Sequence, residues 1–300
     1  MQIVRWNTLR DGDMKYEMIH KFFEFIQARH DIYLRKAKGL PKPWTDVQIL
    51  QEYKFCNVFR ELDTITIWIE NNIRQRWANH KYLWFALCVA RRINLPETLA
   101  DLDELMVDWD ADKAYDILEQ RKKSGKIIYN NAYSLTTVGL KMNKNRYTVY
   151  ECLDNLWQNR ENITDFLEHN DILSLESVFN LFCTGNPGFS GFLAYEIVTD
   201  LRHTRYLRNA KDIMSWANAG PGAVRGLNRI YGNSITKKIN ACQSNKDMQY
   251  LLLVSEVIMP TSFPKMEMRD IEHCLCEFDK YMRIKSNENH LCRKYNGKGE

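Results

Sequence analysis

The stretch GNPGFSGFLAYEIVTD, residues 185–200, sets a Pro-Gly-x-x-Gly turn between two apolar runs with helical spacing. Before the turn, Val178, Phe179 and Phe182 share one face; after it, Leu193, Ala194, Ile197, Val198 and Leu201 share another. A chain reverses this sharply because glycine adopts backbone angles closed to other residues. The pattern predicts a helix-hairpin-helix with its turn exposed. The first amides of the second helix lack intrahelical partners and carry the positive end of its dipole. Pro187, Gly188 and Gly191 are therefore candidates to hold a phosphate through the backbone. Such a grip positions a nucleic acid without reading its sequence. A plain αα-hairpin with a glycine turn carries the same pattern.

The rest of the chain reads as mainly α. Pro41, Pro43 and Trp44 form a rigid entry, with Thr45 or Asp46 as the expected cap of a helix. Val58, Leu62, Ile65, Ile69 and Ile73 repeat with a helical period. Pro96 opens another helix, with Asn94 as its expected cap and Gly125 past the end of the helix that closes at Lys122. Residues 126–150 are less regular: KIIYNNAYSLTT and RYTVYECL suit a short hairpin or a helix entry. Helices are expected at 174–183, 192–203, 221–231, 236–242, 246–257 and 268–284. These form one helical domain over 1–285, with a subdivision near 125–150 as the alternative, and a polar tail over 286–300.

Composition excludes more than it identifies. A chain of 300 residues with 45% apolar and 27% charged residues can bury one large core or two modest ones. A net charge of +4 is compatible with a polyanion partner. Eight Trp, 15 Tyr and 13 Phe could stack bases or pack a core. The opening MQIVRWNTLRDGDMK has charges where a signal peptide needs an apolar region. No apolar run is long enough to span a membrane. The expectation is a cytoplasmic protein (in the host cell's cytoplasm if viral), its eight cysteines reduced. His273, Cys274, Cys276, His290 and Cys292 fit no zinc spacing, so no metal site is expected. The sequence has no Gly-x-x-x-x-Gly-Lys-Ser/Thr loop of a P-loop kinase.

Gly220-Pro221-Gly222 is a second anion candidate, because Pro221 at a first helical position starts a helix cleanly and Arg225 follows on its first turn. As a common loop it reads equally as a structural turn. Asn57, Arg60, Glu61 and Thr64 fall at i, i+3, i+4 and i+7, off the apolar stripe. In the last helix Ile271, Leu275, Phe278 and Met282 line one face, and Asp270, His273, Glu277 and Lys280 another. Solvated charge pairs, or a buried set in which Arg60 and Asp63 brace two helices, explain these stripes without a function. Arg202, Arg205 and Arg208 form a basic stripe directly after the hairpin.

Asn186-Pro187-Gly188-Phe189-Ser190-Gly191-Phe192-Leu193-Ala194 resembles the hairpin of the helix-hairpin-helix DNA glycosylases, which implies a glycosylase-like fold, here with extra N-terminal helices. The departures matter. Phe192 stands where bifunctional glycosylases carry their Schiff-base lysine, and the Asp-x-Asn/His-Val-x-Arg motif that follows their hairpin is absent. A second resemblance rests on three stretches in order: Pro43-Trp44-Thr45 with Phe55-Cys56-Asn57-Val58-Phe59-Arg60-Glu61-Leu62-Asp63; Gly191–Tyr195 with Asp200 and Gly220–Gly226; and Asp270–Tyr281. Together these resemble the α-glutamyl/putrescinyl thymine pyrophosphorylase family, tied to the helical domain of 5-hydroxymethyluracil DNA kinases and found largely in phages.

That resemblance, over roughly residues 15–285, implies a transferase of thymine hypermodification. An amine, from an amino acid or polyamine, displaces pyrophosphate at the 5-methylene of a uracil in DNA. The implied partners are double-stranded DNA carrying modified thymine, the amine or amino acid, and a 5-hydroxymethyluracil DNA kinase. No cofactor is implied beyond Mg2+ accompanying pyrophosphate. The chemistry requires leaving-group stabilisation, amine deprotonation and a base held out of the stack. The candidates for the first are Gly220, Gly222, Arg225 and Arg60. For the second they are Asp63, Asp200, Glu272, Glu277 and His273, with Asp200 preferred. For base or substrate contact they are Phe192, Tyr195 and Trp216, with Asn57 and Lys280 on the polar stripes. A glycosylase for a modified base, or a non-catalytic DNA-binding module serving a kinase, are the alternatives.

Overall fold

The computed structural model describes residues 16–130, 142–170, 173–189, 191–288 and 294. In chain order the helices are α1 (Tyr16–Ala37), α2 (Gln48–Glu52), α3 (Thr64–Ile69), α4 (Leu83–Ile93), α5 (Pro96–Leu102), α6 (Ala111–Lys123), α7 (Lys144–Arg146), α8 (Asn155–Gln158), α9 (Arg160–Glu168), α10 (Leu175–Cys183), α11 (Phe192–Leu201), α12 (Pro221–Tyr231), α13 (Ala241–Ile258) and α14 (Met268–Lys285). Among the described residues no β-strand forms, so the fold class is mainly α. Wider π turns continue α3 over Glu70–Arg74 and join α7 to α8 over Tyr147–Asp154.

The chain divides into two compact units, one of residues 1–60 with 217–300 and one of residues 61–216. The 125–150 region lies inside the second unit.

The centre of the second unit is α4, LWFALCVARRI, in which every residue is buried. A helix buried all round must be wrapped by others, and α11 is one of them: every residue from Leu193 to Leu201 is buried. Ser174 caps α10 in a reciprocal arrangement with Ser177, and the Asp212 carboxylate accepts from the amides of Leu175 (2.7 Å) and Glu176 (3.0 Å). The N-terminus of α10 is thus satisfied by the protein's own anion.

In the first unit α12 and α14 pack with their backbones close. A Cβ added at Gly226 would strike the Leu275 carbonyl, and one at Gly222 would strike Cys276 Sγ. Glycine inside a helix costs roughly 1 kcal/mol against alanine; here it permits the close approach. Phe278 of α14 meets Phe22 and Phe25 of α1 at 5.4 and 5.9 Å between ring centroids. Ile271, Leu275 and Phe278 are buried on one face of α14, as their spacing predicts.

Several sequence expectations shift. The run 58–73 is not one helix: a 3-10 turn at Arg60–Leu62 ends at Asp63, whose extended backbone (ψ 138°) interrupts it before α3. Asn57, Arg60, Glu61 and Thr64 therefore do not share a helical stripe. Asn94 is not a cap of α5 but the left-handed C-cap of α4 (φ 54°), and Leu95 precedes α5. Val47, rather than Thr45 or Asp46, flanks α2. Residues 236–240 are not helical; Asn240 caps α13 by accepting from Gln243 N. RYTVYECL is helical, and residues 131–141 of the preceding segment lie outside the described residues.

Candidate functional site

The hairpin is present, with α10 and α11 packed together. Gly185, Gly188 and Gly191 all have positive φ (70°, 76° and 49°), which explains why three glycines occupy this turn. They differ in surroundings. Gly185 and Gly191 face open space, whereas a Cβ at Gly188 would lie 2.5 Å from Cys152 Sγ. Phe189 is fully buried and anchors the turn from within. Pro187, Gly185 and Gly191 are exposed, and Phe192, at the first turn of α11, is 53% exposed. No acidic residue occupies the first turn of α11. The tip offers an apolar ring beside glycine backbone at the positive end of a helix.

Tyr195 and Trp216 are buried and cluster with the half-buried Phe179, at 5.7 Å from each other and 6.5 and 5.4 Å from Phe179. They pack the unit, and Phe192 is the ring on the surface. Arg205 is committed to structure: it donates to the carbonyls of Ala78 (2.6 Å) and His80 (3.1 Å), pairs with Glu168 and lies over the Tyr206 ring. Arg202 is half-exposed and donates to the Arg208 carbonyl at 3.3 Å, while Arg208 is exposed. The stripe beyond the hairpin therefore presents Arg202 and Arg208.

Asp200 has no solvent exposure. Both its oxygens accept from Arg91, Nε at 2.5 Å and Nη2 at 2.8 Å, and Glu196 stands 3.7 Å from Arg91 Nη1. Burial and the Asp200 charge hold the Cys88 thiol well above its ordinary pKa. A carboxylate so enclosed is placed to neutralise a buried guanidinium rather than to take a proton from a substrate amine. Asp63 lies half-buried at the start of α3.

The other candidates belong to the first unit. The Gly220 amide donates to Glu272 at 3.2 Å, so a carboxylate already stands at the start of α12. Gly222 is buried against α14 and is a packing glycine. Arg225, Arg229 and Arg283 converge on the fully buried Asp279, at 2.7, 2.8 and 3.3 Å. Arg229 also pairs with Glu288. The Arg225 side chain remains 35% exposed. Asn57 is buried and accepts from Arg29 at 2.9 Å. Glu277 accepts from the Cys56 amide at 3.0 Å, and Lys280 donates to the Lys54 carbonyl and sits over the Phe55 ring. These two residues tie the 54–56 segment to α14. Arg60 and His273 are half-buried.

The candidates thus divide between the two units. Sequence reasoning missed Arg91, Arg92 and Asp279. The first two carried a signal: consecutive arginines ending an otherwise apolar run. Among the described residues no group of three or more His, Cys, Asp or Glu could hold a metal, and no helix is long and apolar enough to cross a membrane.

The family model of the 5-hmdU DNA kinase helical domain matches residues 16–290. The chain belongs to that family. As such a helical domain it is also similar to a 5-hmdU DNA kinase of Bacillus phage SP10, with 25% identity over 89% of this chain and 45% of the phage protein. The chain spans less than half the length of that relative. No solved structure matches it.

Proposed function

We propose that this helical domain engages DNA carrying a 5-hydroxymethyluracil-derived thymine and transfers an amine onto the activated 5-methylene. The amine nitrogen attacks the methylene carbon and a C–N bond forms. The C–O bond to pyrophosphate breaks, its electron pair leaving on oxygen, and the amine proton passes to a base. Family membership supports thymine as the target. The observation that carries DNA engagement is the hairpin tip, with glycine backbone and the exposed Phe192 at the start of α11. Backbone amides there suit a phosphate, and Phe192 suits a base face.

In this reading Arg225, its side chain 35% exposed, stabilises the leaving pyrophosphate. Glu272, which reaches from α14 to the start of α12 and accepts from the Gly220 amide there, is the base; Asp200 is enclosed by Arg91. Magnesium would arrive with the pyrophosphate. The test is incubation with DNA bearing 5-pyrophosphoryloxymethyluracil and a pool of amines and amino acids. A heavier nucleoside and released pyrophosphate are expected; no new nucleoside with any amine overturns the transfer step. Abasic sites would instead make the chain a glycosylase.

A second reading is favoured by one observation: the match is to a kinase's helical domain. The chain would then present DNA to a 5-hydroxymethyluracil DNA kinase without chemistry of its own. DNA binding without turnover, and a gain in phosphorylation when such a kinase is added, distinguish it.

A further inference from the structure

Helix α4 ends on two consecutive buried arginines with different surroundings. Arg91 presents its Nε–Nη2 edge to Asp200, which fills it with two carboxylate oxygens. Arg92 is only 2% exposed, yet the same edge, Nε and Nη2, is buried without a hydrogen-bond partner. Its Nη1 donates to the Gly188 carbonyl at 3.1 Å, and its guanidinium carbon lies 5.5 Å from the centre of the Tyr147 ring. Among the described residues no carboxylate pairs with it. A second cation stands close enough to feel its charge: Lys144 lies over the Tyr129 ring at 4.1 Å. Burial and the charge of Arg92 lower the pKa of the Lys144 ammonium.

Two neighbouring cations without an anion are unfavourable in a buried setting. Holding Gly188 does not require a charge, because any neutral donor could serve that carbonyl. This unpartnered edge is the part of a guanidinium that binds two oxygens of one group side by side. Gly188 and Tyr147, which touch the Arg92 guanidinium, and Lys144 are half-exposed.

We propose that Arg92 and Lys144, beneath the Gly188 turn, form a seat for a phosphate oxyanion. Two oxygens meet the Arg92 fork and a third faces Lys144. The phosphate is either that of a free pyrophosphate or a DNA phosphodiester held at the hairpin. Only this choice of source rests on the function proposed above.

The test titrates the full chain, as wild type, Arg92→Met and Lys144→Gln, with inorganic pyrophosphate in one arm and a duplex oligonucleotide in the other. Circular dichroism checks that each variant folds. At least tenfold weaker binding for Arg92→Met, and several-fold for Lys144→Gln, is expected in the arm that carries the source. If Arg92→Met does not fold, Lys144→Gln decides alone. No wild-type binding in either arm, or binding that the folded variants leave unchanged, overturns the seat. Pyrophosphate binding that depends on these residues in a protein that makes no new nucleoside leaves the seat standing and removes the transfer reaction.

Discussion

Arg91 and Asp200 meet side by side in the interior of the second unit, with Nε–Oδ2 at 2.5 Å and Nη2–Oδ1 at 2.8 Å, their side chains 1% and 0% exposed. The pair joins α4 to α11, and α11 is the helix that carries the hairpin's second half. Removing one partner strands the other as a buried charge. Asp200→Asn should therefore lower stability by about 3–5 kcal/mol, read as a shift in the urea midpoint. DNA binding per folded molecule should persist. A stable Asp200→Asn protein that binds DNA but no longer forms product would return Asp200 to the chemistry.

The α12–α14 seam makes a sharper test of packing. Gly222→Ala and Gly226→Ala should each destabilise by about 1–3 kcal/mol, since both overfill a tight contact. Their rescue should differ. Gly222 meets the Cys276 side chain, so adding Cys276→Ala should recover stability; Gly226 meets the Leu275 backbone carbonyl, so no side-chain change should. Equal behaviour of the two glycines under Cys276→Ala would refute the contact.

His30 gives the first unit a pH dependence. It lies between the rings of Phe59 and Phe263, at 5.3 and 4.9 Å, and burial lowers its pKa below the ordinary 6.5, with Asp31 raising it and Arg29 lowering it by lesser amounts. The unfolded chain takes up this proton near 6.5, the folded chain only at lower pH. Between those values the unfolded state binds more protons, so this contribution to stability falls as pH drops below 6.5. Urea midpoints at pH 8 and pH 5 should diverge for wild type and converge in part for His30→Phe. An unchanged pH slope in His30→Phe would assign the dependence to other groups.

At the hairpin, Phe192→Ala should weaken single-stranded or flipped-base binding by about 1–3 kcal/mol with little change in stability, because the ring is half in solvent. Tyr195→Ala should do the reverse, as a buried member of the Phe179–Trp216 cluster. Fluorescence anisotropy with labelled DNA, beside thermal melts, separates the two. Loss of binding only in Tyr195→Ala would move the contact surface away from the tip.

What the sequence made legible was local. Pro221 at a first turn, the glycine turn of the hairpin and the apolar period of α14 each specify geometry within a few residues, and each appears where expected. The segment at 58–73 misled because a single extended residue, Asp63, interrupts a run whose apolar period continues on both sides. The electrostatic partners were not legible, because they are non-local. Arg91 and Asp200 are 109 positions apart, and Arg225 and Asp279 are 54 apart. Spacing reports which residues share a helix face, but not which charge that face meets. For the same reason Asp200 read as an available acid.

The contact from Arg92 Nη1 to the Gly188 carbonyl has a consequence for how the turn meets a ligand. Together with Phe189 in the interior it braces the turn from behind. The backbone has already surrendered its conformational entropy at folding, before any partner arrives. Association at the tip then involves little loop ordering, and a residue without a hydrogen-bond donor at position 92 would reintroduce it as a slower, less productive encounter.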